Sequence, residues 1–332
     1  MRLAKLLIAA VAVWSLYWAA AAWGLRSGIA AWFAEQERRG WQAEFSALET
    51  SGYPTRHRTR IRRPALADPG TGTAWRADWL DLASPAAWPG NLDLHFPASP
   101  QRLSYFDRTA VITAQGLQAG LNLAPGAALE LKEMALVSGP WQIARTGETV
   151  LSGAALDLNM VQAGSPGSYR ITAEAKDFAP RAAWRRLLAA SSALPERFDA
   201  LALEMTVGFD KPWDRSALEQ QRPQPRRIGL KLAEARWGDL RLKAAGALTV
   251  DEHGMPEGEI ALQAENWRGL VLMAERTGAL PPSLRGTVER VLGLLAEAGG
   301  NPHDLDLVLG FADGHVTLGP LPLGRAPRLI IR

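Results

Sequence analysis

From Leu6 to Trp23 the sequence carries no charged residue, with Arg2 and Lys5 before it and Arg26 after it. A helix rises 1.5 Å per residue, so this run just reaches the roughly 20 residues that cross a bilayer core of about 30 Å. Trp14, Tyr17, Trp18 and Trp23 lie in its second half, where amphipathic rings suit a membrane–water boundary. The two leading basic residues favour a cytoplasmic N-terminus. The rival reading is a cleaved signal peptide with Ala20-Ala21-Ala22 as its small-residue site. Bulky rings beside that site, and a helical pattern that continues past it, favour a retained anchor. Under either reading the rest of the chain is exported.

Beyond Arg26 the pattern turns amphipathic. Ile29, Trp32, Phe33, Trp41, Phe45 and Leu48 recur at helical spacings, with Glu35, Glu37, Arg38 and Arg39 on the polar side. This predicts a helical stalk over 27–51, continuous or interrupted at Gly40, that stops before the glycine and proline of Gly52-Tyr53-Pro54. After Pro54 a two-residue period takes over. Leu92, Leu94 and Phe96 alternate with polar neighbours, as do Leu121 with Leu123, Leu129 with Leu131 and Leu156 with Leu158. Short alternating runs between Gly, Pro and Asp are the mark of antiparallel strands with one buried face.

A weak internal repeat sharpens this. The strand Tyr169 to Ala175 leads through Asp177-Phe178-Ala179-Pro180 to a helical stretch, Arg181 to Ala193, and then to a strand from Leu201 to Phe209. About a hundred residues later the strand Glu259 to Glu265 leads to helices over Arg268 to Thr277 and Ser283 to Ala298, then to a strand from Leu305 to Phe311. The expected fold is mainly β with helices (α+β), with an antiparallel, curved or elongated sheet and helices in the C-terminal half. The organisation is an anchor or signal segment over 1–26, the stalk over 27–51, a β-rich region with the first helix-containing unit over 52–219, and a second β-helix-β unit over 220–332. The last two can also form one continuous domain. The Pro-, Gln- and Arg-rich stretch from Gln220 to Arg227 reads as the linker between them.

The segment Gly246-Ala247-Leu248-Thr249-Val250-Asp251-Glu252-His253-Gly254-Met255-Pro256-Glu257-Gly258-Glu259-Ile260 resembles the strand, Asp/Gly turn and strand of AsmA-like periplasmic proteins. The closing stretch from Phe311 through Asp313-Gly314 to Leu323 looks like the final hairpin of the same sort. With Gly52-Tyr53-Pro54 after the anchoring helix, the layout over nearly the whole chain is similar to the DUF2125 family of bacterial proteins. The resemblance implies an exported, sheet-rich protein anchored in the bacterial inner membrane, single-pass, with its C-terminal body in the periplasm; a cleaved signal would leave it soluble there. Where the family continues its Gly-aromatic-Pro motif with an alternating aromatic and apolar strand, this chain has the polar run Thr55-Arg56-His57-Arg58-Thr59-Arg60.

Several chemistries lack their residues. There are no cysteines, which excludes disulfides, thiolate metal sites and cysteine nucleophiles. His57, His95, His253, His303 and His315 are scattered one per segment, and no metalloprotease spacing, Gly-x-Ser-x-Gly elbow or phosphate loop is present. Asp304 and Asp306 read as the solvated face of a strand; Asp78 and Asp81, near Trp75 and Trp79, read as part of a short helical turn or loop. A net charge of +3 is too small for a dedicated nucleic-acid binder. The tryptophans from Trp75 to Trp267 follow no repeat and read as core or strand-end residues. No catalytic residue, cofactor or metal is expected.

One local feature stands out. Arg56, Arg58, Arg60 and Arg62, at strand spacing, project from one face, close in sequence to the membrane-leaving helix. Guanidinium groups pair with phosphate in a bidentate manner, so this face suits an anionic lipid headgroup; a solvated or acid-paired face is the competing reading. The functional expectation is a non-enzymatic envelope protein that binds lipid or other hydrophobic cargo. The alternative is a scaffold or assembly factor for other envelope proteins, and an exported hydrolase is the remote third. The inner membrane, and phospholipid or envelope proteins, are the partners expected.

Overall fold

The computed structural model describes residues 1–88, 90–180, 195–276, 280–298, 300–318 and 321–331. The expected α+β class is observed: large antiparallel sheets, four helices among the described residues, and no closed barrel. The chain divides into two compact units. One comprises residues 1–139 and 143–147, the other 140–142 and 148–332.

The first unit opens with α1 (Arg2–Arg38), a single helix that carries the apolar run. It stops at Gly40, whose φ of 91° suits glycine rather than a helix. The stalk expected over 27–51 is therefore shorter than predicted. Residues past Gly40 form β1 (Gln42–Glu44) and β2 (Ala47–Ser51), because Trp41, Ala43 and Phe45 alternate with polar neighbours and both strands find partners in β4 and β3. Next come β3 (Arg56–Arg62), β4 (Ala65–Asp68), β5 (Thr73–Arg76), β6 (Trp79–Pro85), β7 (Asn91–His95), β8 (Gln101–Tyr105), β9 (Arg108–Ala114), β10 (Gln118–Leu123) and β11 (Leu131–Ser138). Within this unit the strands run in two orders, β2-β3-β6-β7-β10-β11 and β1-β4-β5-β8-β9. Its core forms where Phe33 of α1 meets Ala43 and Ile61, with Phe45, Leu48 and Leu80 packed around them.

After β12 (Trp141–Arg145) and β13 (Glu148–Gly153), the second unit builds one meandering sheet. Its strands are β14 (Ala155–Gln162), β15 (Ser168–Phe178), β16 (Phe198–Phe209), β17 (Pro225–Trp237), β18 (Leu240–Val250), β19 (Pro256–Glu265), β20 (Asp304–Ala312), β21 (His315–Leu318) and β22 (Leu321–Arg325), each paired with the next. The expected linker leads straight into β17, so Arg226 and Arg227 are strand residues. The helix α2 (Arg215–Glu219) is capped by Asp214, which accepts from the Ser216 backbone N–H. The expected paired helices are found as α3 (Arg268–Arg276) and α4 (Pro282–Ala298). The helical stretch expected over 181–193 lies outside the described residues. In β18 a Cβ on Gly246 would stand 2.2 Å from the Glu259 carbonyl oxygen, so only glycine lets β19 approach there.

Candidate functional site

The polar run after Pro54 becomes β3, and its two faces differ completely. His57, Thr59 and Ile61 are buried on one side while the four arginines lie on the other. The buried side meets α1. The His57 ring stacks on Trp18 with centroids 4.9 Å apart, and its Nε2 lies 3.1 Å from the Trp18 carbonyl oxygen. Short polar residues thus take the place of an apolar strand face because the helix offers them partners.

The arginines are largely engaged by carboxylates. Arg60 donates to both oxygens of Asp81 at 2.6 Å, and its guanidinium lies 4.7 Å from the centre of the Trp79 ring. Asp81 is 4% exposed and directly opposite Arg60 in the register of β3 and β6. It is a strand residue, not part of the turn or loop predicted for it. The hydrogen bonds that Arg60 donates to Asp81 raise its pKa further. Arg62 donates to both oxygens of Glu49 at 2.9 and 3.1 Å, and that bond holds the Glu49 carboxyl below its ordinary range. Arg56 stands 3.5 Å from Asp93 with half its side chain exposed. Arg58 is exposed and has no ion pair with any described residue. The face therefore has two charges locked to acids, one loosely held and one open.

The rings of α1 also find partners. Trp14 Nε1 donates to the Pro54 carbonyl at 3.0 Å, Trp18 Nε1 to the Arg56 carbonyl at 3.0 Å, and the Tyr17 hydroxyl to the Ala86 carbonyl at 2.8 Å. Ser15 and Tyr53 share a 2.8 Å hydroxyl–hydroxyl bond. Above these bonds a cleft of about 410 Å³ separates the helix from β3, lined by Tyr17, Ala21, Gly24, Gly28, His57 and Ala86 among others.

The second unit places an apolar surface where repetition in the sequence gave only alternating strands. Cross-strand register lines up Leu156, Ala175, Leu201, Ala235, Leu242, Ala264 and Leu305 in one row. The next row on the same face is Leu158, Ala173, Leu203, Ala233, Ala244, Leu262 and Leu307. Seven strands at about 4.8 Å spacing make each row roughly 29 Å long. Leucines standing beside alanines let neighbouring side chains interdigitate. Between these rows the opposite face carries Asp157, Glu174, Ala202, Glu234, Lys243, Gln263 and Asp306, of which Asp157, Glu174 and Asp306 are exposed. Trp267 and Val271 of the α3 region and Ala296 of α4 pack on Ala264 and Leu305 at the end of the first row. Every residue of the second row remains half-buried.

The other candidates stay apart. His253 sits in a turn whose Asp251 carboxylate accepts from the Met255 and His253 backbone N–H groups; these bonds hold the Asp251 carboxyl below its ordinary range. The His315 Nδ1 lies 2.9 Å from the Asp313 carbonyl. Among the described residues no three His, Asp or Glu side chains come together as metal ligands. No curated protein matches the chain. The model of a family described as an uncharacterised protein conserved in bacteria, DUF2125, matches residues 18–327. That match takes in the second half of α1 and every described strand of both units, and the chain belongs to the DUF2125 family.

Proposed function

We propose that this is a non-enzymatic protein of the bacterial envelope, held by α1 in the inner membrane with its body in the periplasm, that binds lipid or another hydrophobic chain on the apolar face of the second unit. One observation carries this reading: two apolar rows run across seven strands, and away from Leu242, Ala264, Leu305 and Leu307, where the cluster of α3 and α4 packs, Leu156, Leu158, Leu201 and Leu203 stay half-exposed. Exposed apolar surface costs about 25 cal/mol per Å², so a row of this length stabilises an apolar ligand laid along it. Separately, on the first unit, Arg56 and Arg58 offer positive charge to anionic headgroups of the membrane, whereas Arg60 and Arg62 are already paired with Asp81 and Glu49. The analogy with AsmA-like envelope proteins points the same way without establishing it. The scaffold alternative gains nothing from the edge strand β22, whose Pro322 and Gly324 blunt strand pairing.

The test is lipid analysis of the full chain purified from membranes. Bound phospholipid is expected in a fixed ratio to protein and is expected to fall severalfold in Leu203→Asp. The change Ala202→Asp, on the opposite face, should leave it unaltered. Equal lipid in all three proteins would sink the reading.

A further inference from the structure

The charge-free part of α1 extends from Leu6 to Leu25, between Lys5 and Arg26, about 20 residues and roughly 30 Å. The body meets α1 beyond this run, where Phe33 packs on Ala43 and Ile61, and also within it. Trp14, Ser15, Tyr17 and Trp18 bond to Pro54, Tyr53, Ala86 and Arg56, in the middle of the run. With Lys5 and Arg26 at the two boundaries of the hydrocarbon, these contacts lie roughly 12 to 18 Å inside it on the body's side. Sliding the helix until Trp14 reaches that boundary leaves only about 12 Å of charge-free helix within the core and drags Lys5 into the bilayer. Any placement between these limits puts the contacted part of the body below the membrane surface.

That part of the body is made for such a place. No charged residue occurs from Thr50 to Thr55 or from Leu82 to Leu92. Tyr53 and Trp88 are exposed by 51% and 50%, so the tip presents rings outward. Irregular backbone at membrane depth is tolerated where it packs against protein that satisfies its polar groups. Here the carbonyls of Pro54, Arg56 and Ala86 accept from the indole and phenol groups of α1, and the Ala86 N–H bonds to the Thr55 carbonyl. The first charges past the tip on β3 are Arg56 and Arg58, whose long side chains can reach back to phosphates.

We propose that the uncharged tip formed by Tyr53-Pro54-Thr55 and Ala86-Ala87-Trp88 is inserted in the body-side leaflet of the membrane that α1 crosses, as a second, non-helical membrane contact. The leaflet's acyl chains and headgroup boundary are its partner. The proposal rests on α1 being retained in a membrane and not on any cargo bound by the second unit.

Because the chain has no cysteine, single probes are clean. Thr55→Cys and Ala87→Cys place spin labels on exposed tip residues; Asp107→Cys and Glu252→Cys place them on exposed turns elsewhere. The full chain is reconstituted in vesicles of phosphatidylethanolamine and phosphatidylglycerol, and collision with oxygen is compared with collision with a water-soluble nickel chelate. Labels at 55 and 87 are expected to favour oxygen severalfold more than those at 107 and 252, in variants whose thermal unfolding matches the wild type. Nickel access at 55 and 87 equal to that at 107 would overturn the proposal. So would an intact mass showing that α1 is removed from the protein isolated from cells.

Discussion

Both units present an apolar sheet face, but what covers it differs. In the first, α1 lies along β1, β2 and β3, and Phe33 and Ile61 become core. In the second, α3 and α4 pack on the end of the face at Ala264, Leu305 and Leu307, and Leu156, Leu158, Leu201 and Leu203 stay half-exposed. The cover, not the strand, decides whether an apolar residue is core or floor, and burial against a helix is what makes its loss expensive.

The largest effects should fall on the two covers. Trp267→Ala, at a residue 1% exposed, and Phe33→Ala should each cost about 3–5 kcal/mol, read from chemical denaturation of the full chain. A cost for Phe33→Ala below about 1 kcal/mol would break the comparison, because α1 would then be a tether resting on the body and not part of its core. Next comes the contrast between core and floor. Ile61→Ala should cost about 2–5 kcal/mol and Leu203→Ala about 1 kcal/mol, the half-exposed side chain having less to lose. Equal costs would mean that the floor is sealed in solution.

Smaller effects belong to the arginine face. Asp81→Asn leaves Arg60 without its bidentate acid and should cost about 1 kcal/mol, since the arginine is partly exposed and water compensates it. Arg58→Ala, with no acid to lose, should leave denaturation unchanged. The smallest effect is acid sensitivity. Asp251 and Glu49 are held below the ordinary carboxylate range in the folded chain. Their contribution is complete above the unfolded pKa and is lost as pH falls through the lowered folded value. The unfolding midpoint of the wild type should therefore drop on acidification below about pH 4, and that of Asp251→Ala should drop less steeply.

Much of the fold was legible because strands announce themselves by alternation. The hairpin of β18 and β19 around Asp251, the pairing of β14 with β15, and the helices α3 and α4 lie close to where the residues suggest. The misreadings share one cause. Residues 42–51 fit a helix as well as a strand, and only pairing with β4 and β3 selects the strand. Asp81, separated from Arg60 by 21 residues, looked like a loop carboxylate because local pattern cannot register a cross-strand partner. The polar residues His57 and Thr59 departed from the family's apolar alternation, and nothing nearby in sequence shows that Trp18 will stack on His57.

By itself the sequence determined the membrane-length apolar helix, the β-rich body and the exclusion of cysteine chemistry, because these depend on composition and short periods alone. Only the tertiary structure decided that α1 is bonded to the body at Trp14 and Trp18, that Arg60 and Arg62 are spent on acids, and that leucines and alanines from seven strands form one row. Each of these is a contact between residues distant in the chain, and such contacts are set by register and packing, which no local pattern encodes.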